Sequence, residues 1–298
     1  MDNMAKSNPP TLMDELSKKF EPSSDIMLKP LQIGDNKVYL FYLKTVVDGN
    51  KLHSIVIKPF FEMKSNDSFQ SYIESLPEQV EMTSGEELQI KLTKGAVLVS
   101  IEDRFYLLDI KLVNSDAVQQ TLIEPTVYGP QLALSEDLDT NLNIIRQRYH
   151  APTLMIEMHD MKEKSRPQVS IMYDEKTVKK SVLRNIKKKL NSLEAPLIQS
   201  AGDLQLQLNG SKVSLFPTLI LTERPDRITY NLAAGKVVLM IDGSPQAVIA
   251  PIVFFDFMVS MEDSYHTFWI TTFTLVLRSL GLVICLVLPA MYVAVTSY

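Results

Sequence analysis

A single cysteine, Cys285, occurs in 298 residues. Neither a disulfide framework nor a CxxC redox pair can be built within the chain. Cys285 lies in an apolar run, where a thiol behaves as a small hydrophobe. Histidine is scarce too: only His53, His150, His159 and His266 are present, and no two have metal-ligand spacing. HExxH, GxSxG, the P-loop and GxGxxG are all missing. The enzyme and cofactor classes that announce themselves by these motifs are therefore not indicated, and no metal or cofactor is expected. Positive charge is not in excess either. A net charge of -5 argues against a general nucleic-acid-binding surface. The opening stretch, "MDNMAKSNPPTLMDELSKKFEPSSD", has no apolar core of the kind a secretory signal needs. It reads as a polar tail over 1–24, disordered or carrying one short helix, and the domain that follows is expected to begin in the cytoplasm.

Long apolar runs are present at the other end. Ser279 to Val295, "SLGLVICLVLPAMYVAV", carries no charge. At ~1.5 Å per residue the run spans about 25 Å, close to the roughly 30 Å hydrocarbon core of a bilayer. Arg278 sits at its near edge, where a long cationic side chain can snorkel to the headgroups. Phe268 and Trp269 fit an interfacial aromatic belt, and Pro289 is tolerated in a membrane helix. The competing reading is a buried core helix. With Arg278 on the near side, the positive-inside rule favours a cytoplasmic N-terminal region.

Before that run the pattern is α/β, and the length suits about two domains. Strand-like character begins at Asn36. "KVYLFYLKTVV" and "KLHSIVIKPFF" flank "DGN", which allows a hairpin or a crossover containing a helix. "SFQSYIESLPE" reads as a helix ended by Pro77. Two strands surround "EDR" in "GAVLVSIEDRFYLLDI". Further on, "PQVSIMYDE" reads as a strand. "KTVKKSVLRNIKKKLNSL" reads as a helix with Val178, Val182, Ile186, Leu190 and Leu193 on one face. A helix from Pro225 and two strands, "KVVLMID" and "QAVIAP", complete the second unit. The stretch 92–110 aligns without gaps to 232–250, matching Leu92 with Leu232, Gly95 with Gly235, Val97 with Val237 and Ile101 with Ile241. Each copy reads as helix end, glycine cap, strand, tight turn, strand, which suggests duplication of one α/β unit. Between the units, Leu142, Ile144 and Ile145 follow Glu136 and Asp137 in an N-terminally acidic helix.

Little chemistry remains to be placed. His159 with Glu157 and Asp160 reads as solvated. Asp242 with Gly243 reads as a turn. Lys176, Lys179, Lys180, Arg184, Lys187, Lys188 and Lys189 make a basic helix that is either a solvated face or a surface for anionic lipid or an acidic partner. "TERPDR", Thr222 to Arg227, reads as a helix start. Pro225 suits the first turn, and Glu223 and Asp226 suit the positive end of the helix dipole. Ile228 and Leu232 supply its buried stripe. Arg224 and Arg227 are not needed for helix initiation, so they are the candidates for salt bridges to a neighbouring subdomain or subunit. Glu262 and Asp263, beside aromatics in "FFDFMVSMEDSYHTFWITTF", are candidates for coupling to the membrane helix, with Arg278 at its edge.

Five stretches in order, "EPTVYGPQLALSEDLDTNLNIIRQR", "SLFPTLILTERPDR", "GKVVLMIDGSPQAVIAP", "EDSYHTF" and "RSLGLVICLVLPAMYVAVTSY", resemble the GerA family of spore germination proteins, at the A subunit of a nutrient germinant receptor. The resemblance runs from about Asp25 to the last residue. It implies two small related α/β subdomains, the second thioredoxin-like without a redox motif, followed by membrane helices. The expected organisation is a first subdomain over 25–124, a linker helix region over 125–160, a second subdomain over 161–255, an interfacial elbow over 256–278 and a transmembrane helix over 279–298. The resemblance also implies a non-enzymatic role in an oligomeric complex in the spore inner membrane. A subunits would associate with one another and with B and C subunits, and nutrient binding would release ions. Two departures stand out. Tyr128 to Leu132, "YGPQL", replaces a basic "RGPRE"-like stretch, which puts any interaction made there in doubt. The family pattern also continues through further spans, so a truncated or split product, or a fragment, is expected. A membrane-anchored enzyme around Asp242 or His159 and a tail-anchored scaffold are the competing classes.

Overall fold

The computed structural model describes residues 11–34, 36–63, 65–102, 104–113, 119–126, 129–161, 167–193, 198–209 and 217–297. The first ten residues, Val127 and Tyr128 lie outside the described residues. The first unit opens with α1 (Thr11–Phe20), β1 (Ile26–Ile33) and β2 (Asn36–Leu43). A continuous helical stretch follows, made of α2 (Gly49–Leu52), a π-helical turn (His53–Ile57) and α3 (Lys58–Glu62). After it come α4 (Asn66–Glu74), β3 (Gln79–Val80), α5 (Gly85–Thr93), β4 (Ala96–Ile101) and β5 (Arg104–Asp109). The strands form an antiparallel sheet in the order β1-β2-β4-β5-β3. One face packs Val38, Leu40, Val97 and Val99 against Val56, Phe60, Phe69 and Ile73. The other packs Phe41, Leu98 and Leu107 against α1 and α5.

Of the two options at "DGN", the helix is the one formed. Asp48 accepts from the amides of Asn50 and Lys51 and so caps α2, the role a short acceptor plays at a helix N-terminus. The hairpin lies one element earlier, between β1 and β2. Of the two options for the stretch 1–24, disorder or one short helix, residues 11–20 form the helix, and it is packed. Met13, Leu16 and Phe20 of α1 are buried on the first sheet, because its apolar residues recur at helical spacing.

A short pair, β6 (Gln119–Gln120) and β7 (Leu132–Ala133), leads to α6 (Leu138–Arg148). Then come β8 (Leu154–Asp160), β9 (Gln168–Asp174), α7 (Lys180–Asn191), α8 (Ala201–Asn209), β10 (Ile220–Thr222), α9 (Pro225–Ala233), β11 (Val237–Ile241) and β12 (Ala247–Ala250). The second sheet has the order β10-β12-β11-β9-β8, and all its pairings are antiparallel. Val182, Ile186, Leu190 and Leu193 of the basic helix, with Val178 just before it, pack on one face together with α8. Leu142 and Ile145 of α6 and Ile228 and Leu232 of α9 cover the other. The region 125–160, set apart in the sequence as a linker, thus supplies a helix and an edge strand to the second layer. Leu154 and Ile156 of β8 face that core, and Met155 between them faces the other.

The aligned repeat appears in space as the same succession of helix, glycine, strand and strand. Gly95 and Gly235 have φ of +104° and +79°, and a Cβ on either would meet backbone, Lys111 Cα at 2.7 Å and the Thr177 carbonyl oxygen at 2.5 Å. The two units are joined through a buried polar cluster. Arg146 of α6, 0% exposed, pairs with Asp25 at 3.1 Å, and Asp25 also accepts from Ser23 and Thr45. After β12 the chain makes two 3₁₀ turns, Phe254–Phe257 and Met261–Tyr265, and enters α10 (Phe268–Thr296). The apolar helix therefore starts at Phe268, eleven residues before the expected 279. Its 29 residues have a mean hydropathy of 2.2 over the most apolar window, and none of that window is buried. Within the described residues the helix is not part of a buried core.

Candidate functional site

β10 delivers "TERPDR" to the start of α9, and each polar side chain there has a partner. The Thr222 hydroxyl donates to Glu124 Oε2 at 2.6 Å and accepts from the Arg224 amide. Glu223 is buried, and one carboxylate oxygen accepts from the amides of Ile123 at 2.6 Å and Glu124 at 2.9 Å. Its role is thus not to sit at the helix dipole. It clamps the segment that arrives from the first unit, because charge-assisted bonds to otherwise orphaned amides outweigh a dipole interaction. Pro225 takes the first helical position, where its missing N–H is not needed.

Arg224 is 2% exposed and makes a two-toothed pair with Asp226, Nε to Oδ1 at 3.0 Å and Nη2 to Oδ2 at 2.6 Å. This partner lies two residues away, not in another subdomain, because the turn into α9 folds both side chains to one side. Asp226 also accepts from the Arg227 amide at 2.9 Å and the Tyr265 hydroxyl at 3.1 Å. Burial alone would raise the Asp226 carboxyl, but Arg224 first, then Tyr265 and the Arg227 amide, hold it below its ordinary value. Arg227 reaches the arriving segment, with Nη1 2.6 Å from Glu124 Oε1.

The other candidates sit across a small cleft. About 260 Å³ of space is lined by Glu124, Arg224, Arg227, Val259, Ser260 and Glu262, among others. Asp263 is buried beside it. Its Oδ2 accepts from the Ser260 amide at 2.8 Å and from Arg278 Nη1 at 2.5 Å. Arg278 Nη1 also donates to the Met258 carbonyl at 3.0 Å, and the Thr271 hydroxyl donates to the Asp263 carbonyl at 2.7 Å. Lys236, just after α9, holds Asp256 at 2.8 Å. Arg224, Arg227 and Glu262 thus share one cleft, and Asp263 and Arg278 form one ion pair beside it. Glu124, Asp226, Lys236, Asp256 and Tyr265 complete the arrangement; of these, Glu124, Lys236 and Tyr265 carry no signal in the sequence. Gly129 leaves room for Tyr265, since a Cβ there would lie 2.7 Å from the Tyr265 ring.

This is a structural junction. Among the described residues no group of His, Cys, Asp or Glu is placed to hold a metal ion. Asp242 Oδ1 accepts from the Leu138 amide at 3.3 Å, which makes it a support for the start of α6. Glu157 is taken by Lys187 and Tyr173.

Residues 14–298 match the family model described as Bacillus/Clostridium GerA spore germination protein. The chain belongs to the GerA family. It is 28% identical over 295 residues to spore germination protein KA of Bacillus subtilis, covering 95% of this chain and 54% of that one. It is 34% identical over 192 residues to GerLA of Bacillus cereus, covering 63% of this chain and 39% of that one. GerIA of Bacillus cereus is 30% identical over 293 residues, covering 96% of this chain and 44% of that one. The chain spans about half the length of these curated relatives. The crystal structure of the N-terminal domain of the A subunit of the Bacillus megaterium spore germinant receptor GerK3 shares the fold, with a TM-score of 0.61 and 22% identity. The match covers 81% of this chain and 94% of that one.

Proposed function

We propose that this GerA-family chain is the A subunit of a nutrient germinant receptor, or the N-terminal portion of one, and that it couples nutrient sensing to germination. It works in an oligomeric, ion-releasing complex with B and C subunits, associated with further A subunits. The two α/β units lie in the cytoplasm and α10 crosses the spore inner membrane. The role is transduction, without catalysis. The observation that carries the coupling reading is the start of α9. The same six residues grip the segment arriving from the first unit, through Glu223 and Arg227, and the elbow that leads into α10, through Asp226 and Tyr265. A ligand shifts an equilibrium only through its differential affinity for two arrangements. A joint shared by both units and the membrane helix is where such a difference can be passed on.

Glu262→Ala with Asp263→Ala, introduced into the full-length gene, tests this in spores. The expected outcome is normal accumulation of the A subunit, retained copurification with the B and C subunits, and loss of nutrient-triggered germination. Normal nutrient germination in that strain would sink the coupling reading. Unaltered germination after disruption of the gene would favour the scaffold role instead.

A further inference from the structure

We infer that the elbow is a membrane-resting foot: the row Val253, Phe255, Phe257 and Val259 lies at the headgroup–acyl boundary of the leaflet that α10 enters, with the bilayer surface at Arg278 and not at Trp269. The inference rests on the reading of α10 as a membrane span, and it places that span's entry level.

Exposure alternates along the elbow. Val253, Phe255, Phe257 and Val259 are exposed, and the residues between them, Phe254, Asp256, Met258 and Ser260, are half-buried. The inward side is occupied. Asp256 takes Lys236, and the Met258 carbonyl takes Arg278. The exposed side chains Val253, Phe255, Phe257 and Val259 are all large and apolar, Phe255 being 74% exposed.

Its depth follows from the tie to α10. Because the Arg278 guanidinium donates to the Met258 carbonyl, this part of the elbow lies beside α10, within one arginine side chain of residue 278. From Ser279 to Thr296 the helix runs about 27 Å at ~1.5 Å per residue, close to the roughly 30 Å hydrocarbon core. The Arg278 charge is neutralised by Asp263, as suits a guanidinium at the edge of that core. Entry at Trp269 would instead draw Arg278 about 13 Å inward. With it would go the elbow, and close behind them the charged start of α9, which is tied to Tyr265. Desolvating those groups is far costlier than leaving a few apolar turns of helix outside.

The same edge of the second unit is basic. Gly235 packs on the Thr177 carbonyl, between the end of α9 and the approach to α7, one residue from the Lys236 that holds the elbow. Lys176, Lys179 and Lys180 are exposed there. Each lysine near an anionic leaflet adds to the attraction. The occupant that fits an apolar row beside these cations, continuous with a spanning helix, is an anionic bilayer surface.

The full chain carrying Cys285→Ser and Phe255→Cys, labelled with NBD, is reconstituted into vesicles of phosphatidylcholine with phosphatidylglycerol. Leu206→Cys on the same background, exposed on α8, is the aqueous reference. The foot predicts blue-shifted NBD emission at 255 relative to 206, quenched most by lipid nitroxides at shallow positions. Trp269, the only tryptophan, stays open to aqueous acrylamide. An NBD at 255 as water-exposed as that at 206, or Trp269 quenched most by deep acyl-chain bromines, overturns the foot. A chain that does not float with the vesicles overturns the membrane reading on which the foot rests.

Discussion

Asp226 receives a guanidinium, a backbone amide and a phenol, and the protein has placed it where both protonation and loss can be measured. Removing one partner of a buried ion pair strands the other and costs about 3–5 kcal/mol. Asp226→Asn should therefore lower the thermal midpoint of the full chain in detergent micelles by several degrees. The sign of the pH effect follows from the depressed Asp226 carboxyl. A group whose folded pKa lies below its unfolded value contributes stability that is complete above about pH 4 and lost as pH falls through the folded pKa. Wild type should lose stability on acidification below about pH 4 more steeply than Asp226→Asn, as read by melting at stepped pH. Parallel acid limbs would remove Asp226 from the account. Glu223 makes a sharper local prediction. Glu223→Gln weakens two charge-assisted bonds worth about 1.5–3 kcal/mol each, so amide exchange at Ile123 and Glu124 should speed by about tenfold or more, while amides in β4 stay protected.

Gly235 and Gly95 close the helices of the repeated unit, and a side chain at either faces both a left-handed backbone and a close neighbour. Gly235→Ala should cost about 1–3 kcal/mol from the backbone alone, with the Thr177 carbonyl adding to it. An exposed glycine with positive φ and nothing nearby, Gly34, pays only the backbone part, and comparing the two melts separates the terms. These elements were legible because their signals are local: a glycine after a helix, a proline opening one, a single apolar stripe. β1 was not. It is an edge strand, largely exposed, and Lys29 and Pro30 interrupt it, which an edge position tolerates. "DGN" left two options open for a related reason, since an acidic residue before glycine serves a turn or a helix cap equally well. The partners at the site were hidden because they are distant in sequence. Glu124 meets Arg227 across 103 residues and Tyr265 meets Asp226 across 39. Arg224 and Arg227 stood out only as charges that a helix start does not use.

At the scale of the whole molecule, what matters is that the α/β units do not end in a loose tether. Lys236 and Asp256, Asp226 and Tyr265, and Asp263 and Arg278 fasten the elbow at three levels, to the end of α9, to its start and to the membrane helix. Movement of the second unit relative to α10 must therefore strain or break one of these ties, and the last is the one that touches α10. Reversing its charges in the full-length gene tests the central claim most directly. Asp263→Arg alone and Arg278→Asp alone should each abolish most nutrient-triggered germination, while the double reversal restores it, with A-subunit levels matched throughout. Spores of either single variant that germinate on nutrient like wild type would contradict the claim that the junction transmits the signal.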